Sequence, residues 1–144
     1  MAVLTKRRRA TSQIEKKTIS SPDEIRTFPK GKVELVRVGG ITFGRATLEP
    51  GWSWSSCVKP LAKTDSCQAP HTQYHVSGRL GVRMDDGTEA QFSPGDVSMI
   101  PPGHDGWVIG NEPVVIIDVT GMTQYATTAP AKRLTQRGRG RRRR

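Results

Sequence analysis

The stretch DSCQAPHTQYHVSGRL, residues 65–80, holds one of the two cysteines and two of the three histidines in this 144-residue chain. Thiolates and neutral imidazoles bind divalent metal ions, typically at about 2.0 to 2.3 Å. Cys67, His71 and His75 are therefore candidates for metal chemistry. On an extended strand His71 and His75 would lie about 13 Å apart, which is too far for them to share one ion easily.

Strand alternation places His71, Gln73 and His75 on one face. If this face points into the protein, Gln73 and His75 can offer hydrogen bonds to a bound ligand. The alternative for His75 is a single core histidine with its hydrogen bonds satisfied. Trp107 is a further candidate, because an indole can stack on a ligand, although packing in the core or at its rim would also explain it.

The elements that must position these residues are predicted to be strands. The segments KVELVRV, ITFGRATL and WSWSS alternate apolar and polar residues, and Asp86-Gly87 predicts a tight hairpin between GVRM and EAQF. DVSMI, WVIG and PVVIIDVT continue the series. Such short strands between Gly/Pro turns predict an antiparallel sandwich or barrel. One short helix is expected after Ser21, with Ser21 as N-cap, Pro22 in the first turn and Glu24 completing a capping box.

Charge divides the chain into three parts. Residues 1–20 hold six Lys/Arg and one acid and carry +5, residues 131–144 hold eight Lys/Arg and no acid and carry +8, and the residues between carry −3. We expect residues 1–20 and 131–144 to be disordered and residues 21–130 to form one domain. The Arg/Gly-rich tail suits non-specific contact with nucleic acid or other polyanions, and a solubilising tail is the alternative.

Location and reaction class are restricted by what the sequence lacks. No apolar run approaches the roughly 20 residues that span a bilayer, and no export signal is recognisable, so a cytoplasmic protein without membrane contact and with free thiols is expected. The sequence contains no nucleophile elbow, phosphate loop or CxxC pair. These reaction classes are therefore not supported.

The segments YHVSGRLGV, residues 74–82, and GDVSMIPPGH, residues 95–104, resemble the paired motifs of the cupin superfamily, and the chain is similar to its small single-domain members (monocupins). The resemblance covers residues 32–120. It implies an all-β double-stranded β-helix, or jelly-roll, barrel with a site in its interior or mouth. Cupins include enzymes, storage proteins and sensors, so the fold leaves function open.

The first cupin motif has two histidines and a glutamate as metal ligands. When its last glycine is aligned with Gly78, these three positions fall on Asp65, Cys67 and His71. The opening glycine of the motif is not matched, because Lys59 stands at its place.

The second motif matches at Gly95, Pro101 and Gly103. Its histidine position falls on Gly106, whereas His104 directly follows Gly103.

The resemblance thus implies a divalent metal site made by Cys67, His71 and His104, with Asp65 or water as the fourth ligand. Because thiolate is a soft ligand, this set favours zinc over iron or manganese. The alternative is a barrel that has lost its metal, with Cys67 as a small buried hydrophobe, His71 as a hydrogen-bonded pocket residue and His104 as a surface turn residue.

Two functions remain open at this stage. One is a metal-dependent cupin enzyme, an oxidoreductase or isomerase, that acts on a small polar or carboxylated metabolite. The other is a non-catalytic, metal-free ligand-sensing or regulatory cupin whose basic tails contact polyanions. A homodimer is compatible with both functions.

Overall fold

The computed structural model describes residues 13–123 and 125–127, which fold into two antiparallel sheets. In chain order the elements are β1 (Glu24–Phe28), β2 (Gly31–Val38), β3 (Ile41–Leu48), α1 (Trp54–Cys57), α2 (Lys59–Ala62), β4 (His71–Ser77), β5 (Arg79–Met84), β6 (Glu89–Phe92), β7 (Val97–Ile100), β8 (His104–Ile109) and β9 (Val114–Asp118). The larger sheet has the order β1-β2-β3-β9-β4-β7, and the smaller sheet has the order β6-β5-β8.

The core lies between the two sheets. Along β8 buried and half-buried residues alternate strictly, and β9 and the first five residues of β4 follow the same alternation. Buried Val33 and Leu35 from the larger sheet belong to the same apolar cluster as Leu80 and Val82 from the smaller sheet. This packing confirms the predicted antiparallel β-barrel, because the apolar side chains of the two sheets share one core.

The predicted hairpin between β5 and β6 is confirmed. The Gly87 amide donates to the Met84 carbonyl at 2.9 Å, and the Asp86 carboxylate accepts from the Thr88 amide at 2.9 Å. Gly87 has φ +90, a value that side-chain-bearing residues rarely adopt, which explains the Asp-Gly sequence at this turn.

The short helix was predicted in the wrong place. The segment after Ser21 forms β1, whose five residues pair in full with β2. A complete strand ladder satisfies more backbone groups than one or two turns of isolated helix, so tertiary pairing overrides the capping pattern.

The segment WSWSS was predicted as a strand and instead forms most of α1. Ser53 is the N-cap, with its hydroxyl accepting from the Ser56 amide at 3.3 Å. Trp54 and Cys57, three residues apart, are both buried on one face of this helix. The core therefore takes up Trp54 and Cys57 at helical spacing, in addition to Trp52 from the segment before the helix.

The N-terminal segment contacts the barrel before Ser21. Glu15 accepts from the Gly39 amide at 2.8 Å, and Lys17 pairs with Asp23 at 2.9 Å. Residues 1–12 and 128–144, on which much of the disorder prediction falls, lie outside the described residues. In the part that is described, neither four-residue helix is long and apolar enough to cross a membrane.

Candidate metal centre

Cys67, His71 and His104 meet inside the barrel, although they come from three separate backbone segments. Cys67 lies in the loop before β4, His71 begins β4 and His104 begins β8. The Cys67 amide donates to the His104 carbonyl at 2.8 Å, and the Gly103 amide donates to the Cys67 carbonyl at 2.7 Å. These two bonds fix the loop against the start of β8. His104 and Cys67 therefore form an isolated antiparallel bridge with their side chains adjacent.

The three side chains are buried and offer one ligand atom each, and these atoms lie within 4.8 Å of one another. The Sγ of Cys67 is 3.7 Å from Nε2 of His71. Ligands bound tetrahedrally at 2.0 to 2.3 Å are separated by about 3.3 to 3.8 Å, so this pair has a metal-binding separation. One thiolate and two imidazoles are a donor set that fits a zinc-like ion.

Asp118 orients His71. It is the last residue of β9, is fully buried, and accepts from the Nδ1–H of His71 through Oδ2. Its other oxygen, Oδ1, accepts from the backbone amides of Thr120 and Gly121 at 2.8 and 3.0 Å. With Nδ1 occupied, Nε2 of His71 is the nitrogen that faces Cys67. Metal-binding histidines commonly carry such a carboxylate partner on the second ring nitrogen.

His104 is oriented by a backbone carbonyl. Its Nδ1–H donates to the Pro101 oxygen at 2.7 Å, which leaves Nε2 as the free nitrogen. The His71 and His104 rings meet edge to face with centroids 5.2 Å apart. Both rings are therefore held by hydrogen bonds on the side away from the cluster.

The electrostatics of the cluster favour charged side chains. Burial raises the pKa of the Cys67 thiol, but hydrogen bonds with His104 and His71 outweigh burial and lower this pKa to about 6. Burial lowers the pKa of His71, but Asp118 and Cys67 together raise it to about 9. Burial raises the pKa of Asp118, but the hydrogen bond and charge of His71 together with the amides of Gly121 and Thr120 hold it below its usual value. Without metal, the thiolate and the carboxylate flank an imidazolium.

A small cavity of about 40 Å³ adjoins the cluster. Cys67, His71, His104 and Gln73 contribute to its wall, and most other lining residues are apolar or aromatic, among them Trp52. One water needs about 10 to 15 Å³ on this measure, so the cavity has room for about three waters. The indole Nε1 of Trp52 is buried without a hydrogen-bond partner among the described residues, and such a donor favours a ligand that accepts hydrogen bonds.

The cavity explains the displaced histidine of the second motif. Gly106, at the expected position, and His104 are two residues apart on β8, and both line the cavity. Strand alternation puts such residues on the same face, so a histidine two positions earlier still points inward.

The other predicted site residues lie in different environments. Gln73 lines the cavity. His75 is only 1% exposed, hydrogen-bonds to Ser98 Oγ at 2.8 Å and stacks on Phe92, and it is not part of the cavity wall. This environment is that of the satisfied core histidine considered above. Burial lowers its pKa.

Trp107 and Asp65 lie away from the cluster. Trp107 is half-buried, alternates with the inward-facing residues of β8 and packs against Gly81 under the Arg83 guanidinium. Asp65 is exposed and is not one of the clustered ligands.

Asp118 and Trp52 were not identified from the sequence. Asp118 is 47 residues from His71, so only strand pairing brings the two together. The sequence feature that could have identified Asp118 is its position at the end of the apolar run PVVIID. A lone carboxylate at that position is buried together with the strand.

No protein-family model matches the sequence, and no curated protein matches it either. Solved structures do resemble the fold. A protein of unknown function from Rhizobium leguminosarum bv. viciae matches with a TM-score of 0.53 at 23% identity, over 76% of this chain and 97% of that protein.

Two further structures have named activities. The polyketide cyclase RemF from Streptomyces resistomycificus matches with a TM-score of 0.54 at 14% identity, over 76% of this chain and 80% of RemF. Oxalate decarboxylase from Lactobacillus farciminis, solved as a formate complex, matches with a TM-score of 0.51 at 21% identity, over 71% of this chain. That match spans only 32% of the decarboxylase. RemF and the decarboxylase are cupin-fold proteins, and the likeness confirms the predicted cupin fold.

Proposed function

We propose that this cupin barrel binds a small polar or carboxylated molecule at a divalent metal ion held by Cys67, His71 and His104. The observation that carries the proposal is the convergence of the three buried ligand atoms beside a cavity. Surface clusters of such residues are common without metal, but a buried set aligned by separate hydrogen bonds to Asp118 and Pro101 is organised for coordination.

The side chains around the ion would have different roles. Cys67, His71 and His104 would be three ligands of the ion, and the fourth position would face the cavity. Three protein ligands and one open position are the arrangement of catalytic rather than structural zinc sites. A bound divalent ion would polarise a carbonyl or carboxylate oxygen of the ligand as a Lewis acid. Gln73 would hydrogen-bond to the ligand from β4, and the apolar walls would exclude bulk water.

Metal identity bears on the reaction class. The soft thiolate favours zinc, which does not change oxidation state. Of the two enzyme classes, an isomerase therefore suits a zinc-loaded site, and an oxidoreductase in which the metal itself changes oxidation state would need iron or manganese in the same ligands.

Metal content of cysteine variants tests the proposal. The protein is purified without chelators, incubated with zinc, desalted and analysed for metal by mass spectrometry. We expect about one ion per chain, a sharp loss in Cys67→Ala, and no change in the matched variant Cys57→Ala, because Cys57 is also buried but lies outside the cluster. His71→Ala and His104→Ala should also lose metal, whereas His75→Ala should retain it. Metal-free wild-type protein, or equal metal content in the two cysteine variants, would contradict the proposal.

A second candidate is a metal-free ligand-sensing cupin. It is favoured by ion pairing within the cluster, since the His71 imidazolium already pairs with both Cys67 and Asp118 without a metal ion. In this case zinc should leave the melting temperature unchanged, whereas small anions that displace the thiolate from His71 should shift it.

A further inference from the structure

The barrel has an open seam beside the candidate metal centre. In the described part of the chain, β7 is an edge of the larger sheet and β6 is an edge of the smaller sheet, and the two do not pair. They are joined only by residues 93–96. A gap between two sheet edges has no strand hydrogen bonds across it, so side chains alone line it.

A second cavity, of about 130 Å³, lies at this seam. Its wall is mainly apolar, with Met84, Ala90, Phe92 and Met99 among the lining residues. Glu89 is the one charged residue of the wall, and its carboxylate pairs with Arg83 at 2.7 Å. Met99 is 69% exposed, although it is a large apolar side chain. The seam cavity therefore suits an apolar group.

This cavity and the metal-side cavity share two wall residues. Val82 on β5 and Ile100 on β7 belong to the walls of both cavities. Both residues are aliphatic and buried, so an apolar chain passing between them meets no polar group that would have to be desolvated. The metal-side cavity of about 40 Å³ is too small for more than the head of a ligand, whereas the seam cavity can take the remainder.

We infer that the ligand has an oxygen-bearing head at the metal and an apolar chain or ring that passes Val82 and Ile100 into the seam cavity. The inference rests on the proposed function and adds the substrate class, an amphipathic carboxylate. Ala90 is then a residue that limits the size of the apolar part.

The test uses the cobalt-loaded full chain with sodium acetate, butyrate and hexanoate as probes. Binding is followed by the visible d–d absorption of cobalt, and the cobalt–thiolate charge-transfer band reports that Cys67 is a ligand. In the wild type we expect affinity to rise about fourfold for each methylene that enters the seam cavity.

Ala90→Phe should fill the seam cavity and weaken hexanoate binding by about tenfold or more, equivalent to about two buried methylenes, while acetate binding is unchanged. The matched control is Gln91→Phe, the next position on β6, whose side chain contacts Arg79 and does not line the cavity. If Ala90→Phe does not fold, Ala90→Leu gives the same comparison with a smaller side chain.

The possible outcomes test the seam-cavity inference and the proposed metal centre separately. Acetate binding without any gain from butyrate or hexanoate would overturn the inference and leave the metal centre intact. An equal chain-length gain in wild type and Ala90→Phe would also overturn it, because the chain would then lie elsewhere. Absence of a cobalt–thiolate band would overturn the metal centre itself, and the inference with it.

Discussion

Replacing Asp118 by Asn should weaken metal binding without removing a metal ligand. Asp118 accepts three hydrogen bonds, from the His71 ring and from the amides of Thr120 and Gly121. Asparagine has the same shape, but it has one acceptor oxygen. If that oxygen keeps the two backbone amides, its NH₂ group faces His71. Nδ1 of His71 must then become an acceptor, and the ring proton moves to Nε2.

When metal binds to the wild type, the imidazolium loses its Nε2 proton and Nδ1–H keeps its hydrogen bond to Asp118. In the variant, metal binding must also move the ring proton to Nδ1, opposite the asparagine NH₂ group, and so it breaks that hydrogen bond. Loss of a partner behind a metal-binding histidine typically lowers affinity by about 10-fold to 100-fold, equivalent to about 1.4 to 2.7 kcal/mol. The assay is a competitive titration of zinc against a chromophoric chelator at pH 7.5, with wild type, Asp118→Asn and a control, Asp96→Asn. Asp96 is an exposed turn residue that accepts from the Ser93 amide.

A double-variant cycle distinguishes action through His71 from a general loss of structure. Because Asp118 acts through His71, adding Asp118→Asn to His71→Ala should not lower further the residual zinc affinity that titration at higher zinc concentration measures for His71→Ala. Unchanged zinc affinity in a folded Asp118→Asn protein would refute the reasoning. So would a full additional loss in the His71→Ala background, since that would show that the carboxylate acts on the site by another route.

Three further predictions concern packing, pH and the tail. A Cβ at Gly121 would lie 2.1 Å from a backbone oxygen of the loop before β4, so Gly121→Ala should lower both the melting temperature and the zinc affinity. A Cβ at Gly106 has its nearest neighbour at 3.5 Å, so Gly106→Ala should be tolerated. Equal melting temperatures of the two variants in calorimetry would contradict this prediction. Hydrogen bonds from Arg45 hold the pKa of Glu34 in the folded protein below its usual 4.5. The ion pair therefore stabilises the fold fully above pH 4.5, and this stabilisation is lost as the pH falls through the folded-state pKa of Glu34. Glu34→Gln should therefore be less stable than wild type in urea at pH 7 and approach it under acid conditions; a pH-independent difference would exclude the ion pair as its cause. Deleting residues 131–144 should remove most of the affinity for duplex DNA. In the full chain, a plot of log K against log salt concentration should have a slope of roughly −5 for about six neutralised phosphates. Equal affinity of the full and shortened proteins would show that the tail does not bind.

The sequence by itself determined the strand pattern and most of its turns. Alternation in β2 and β3, and the Asp86-Gly87 turn, depend on contacts between near neighbours, and their physical causes are local. Side-chain alternation and the positive φ of glycine act within a few residues. The two motif-like segments likewise predicted the cupin fold, which the structural likeness confirms.

Local patterns were insufficient where two structures compete for one segment. Residues 24–28 carry a helix-capping pattern and form β1, and WSWSS alternates like a strand and forms most of α1. The free energies that separate helix from strand over four or five residues are small. Pairing with β2 in the first case and burial of Trp54 and Cys57 in the second therefore decide the outcome.

In the candidate site, too, the sequence identified some residues and the tertiary structure decided the rest. Residue chemistry identified Cys67, His71 and His75 as candidate ligands, and the resemblance to the cupin motifs replaced His75 by His104. Only the tertiary structure decided that Asp118 supports His71 and that Trp52, rather than Trp107, lines the cavity. The first fact depends on strand register, since a shift of one residue along a strand turns every side chain to the opposite face of the sheet. The second depends on the segment before α1, whose Trp52 carbonyl accepts from the Val108 amide of β8 at 3.0 Å.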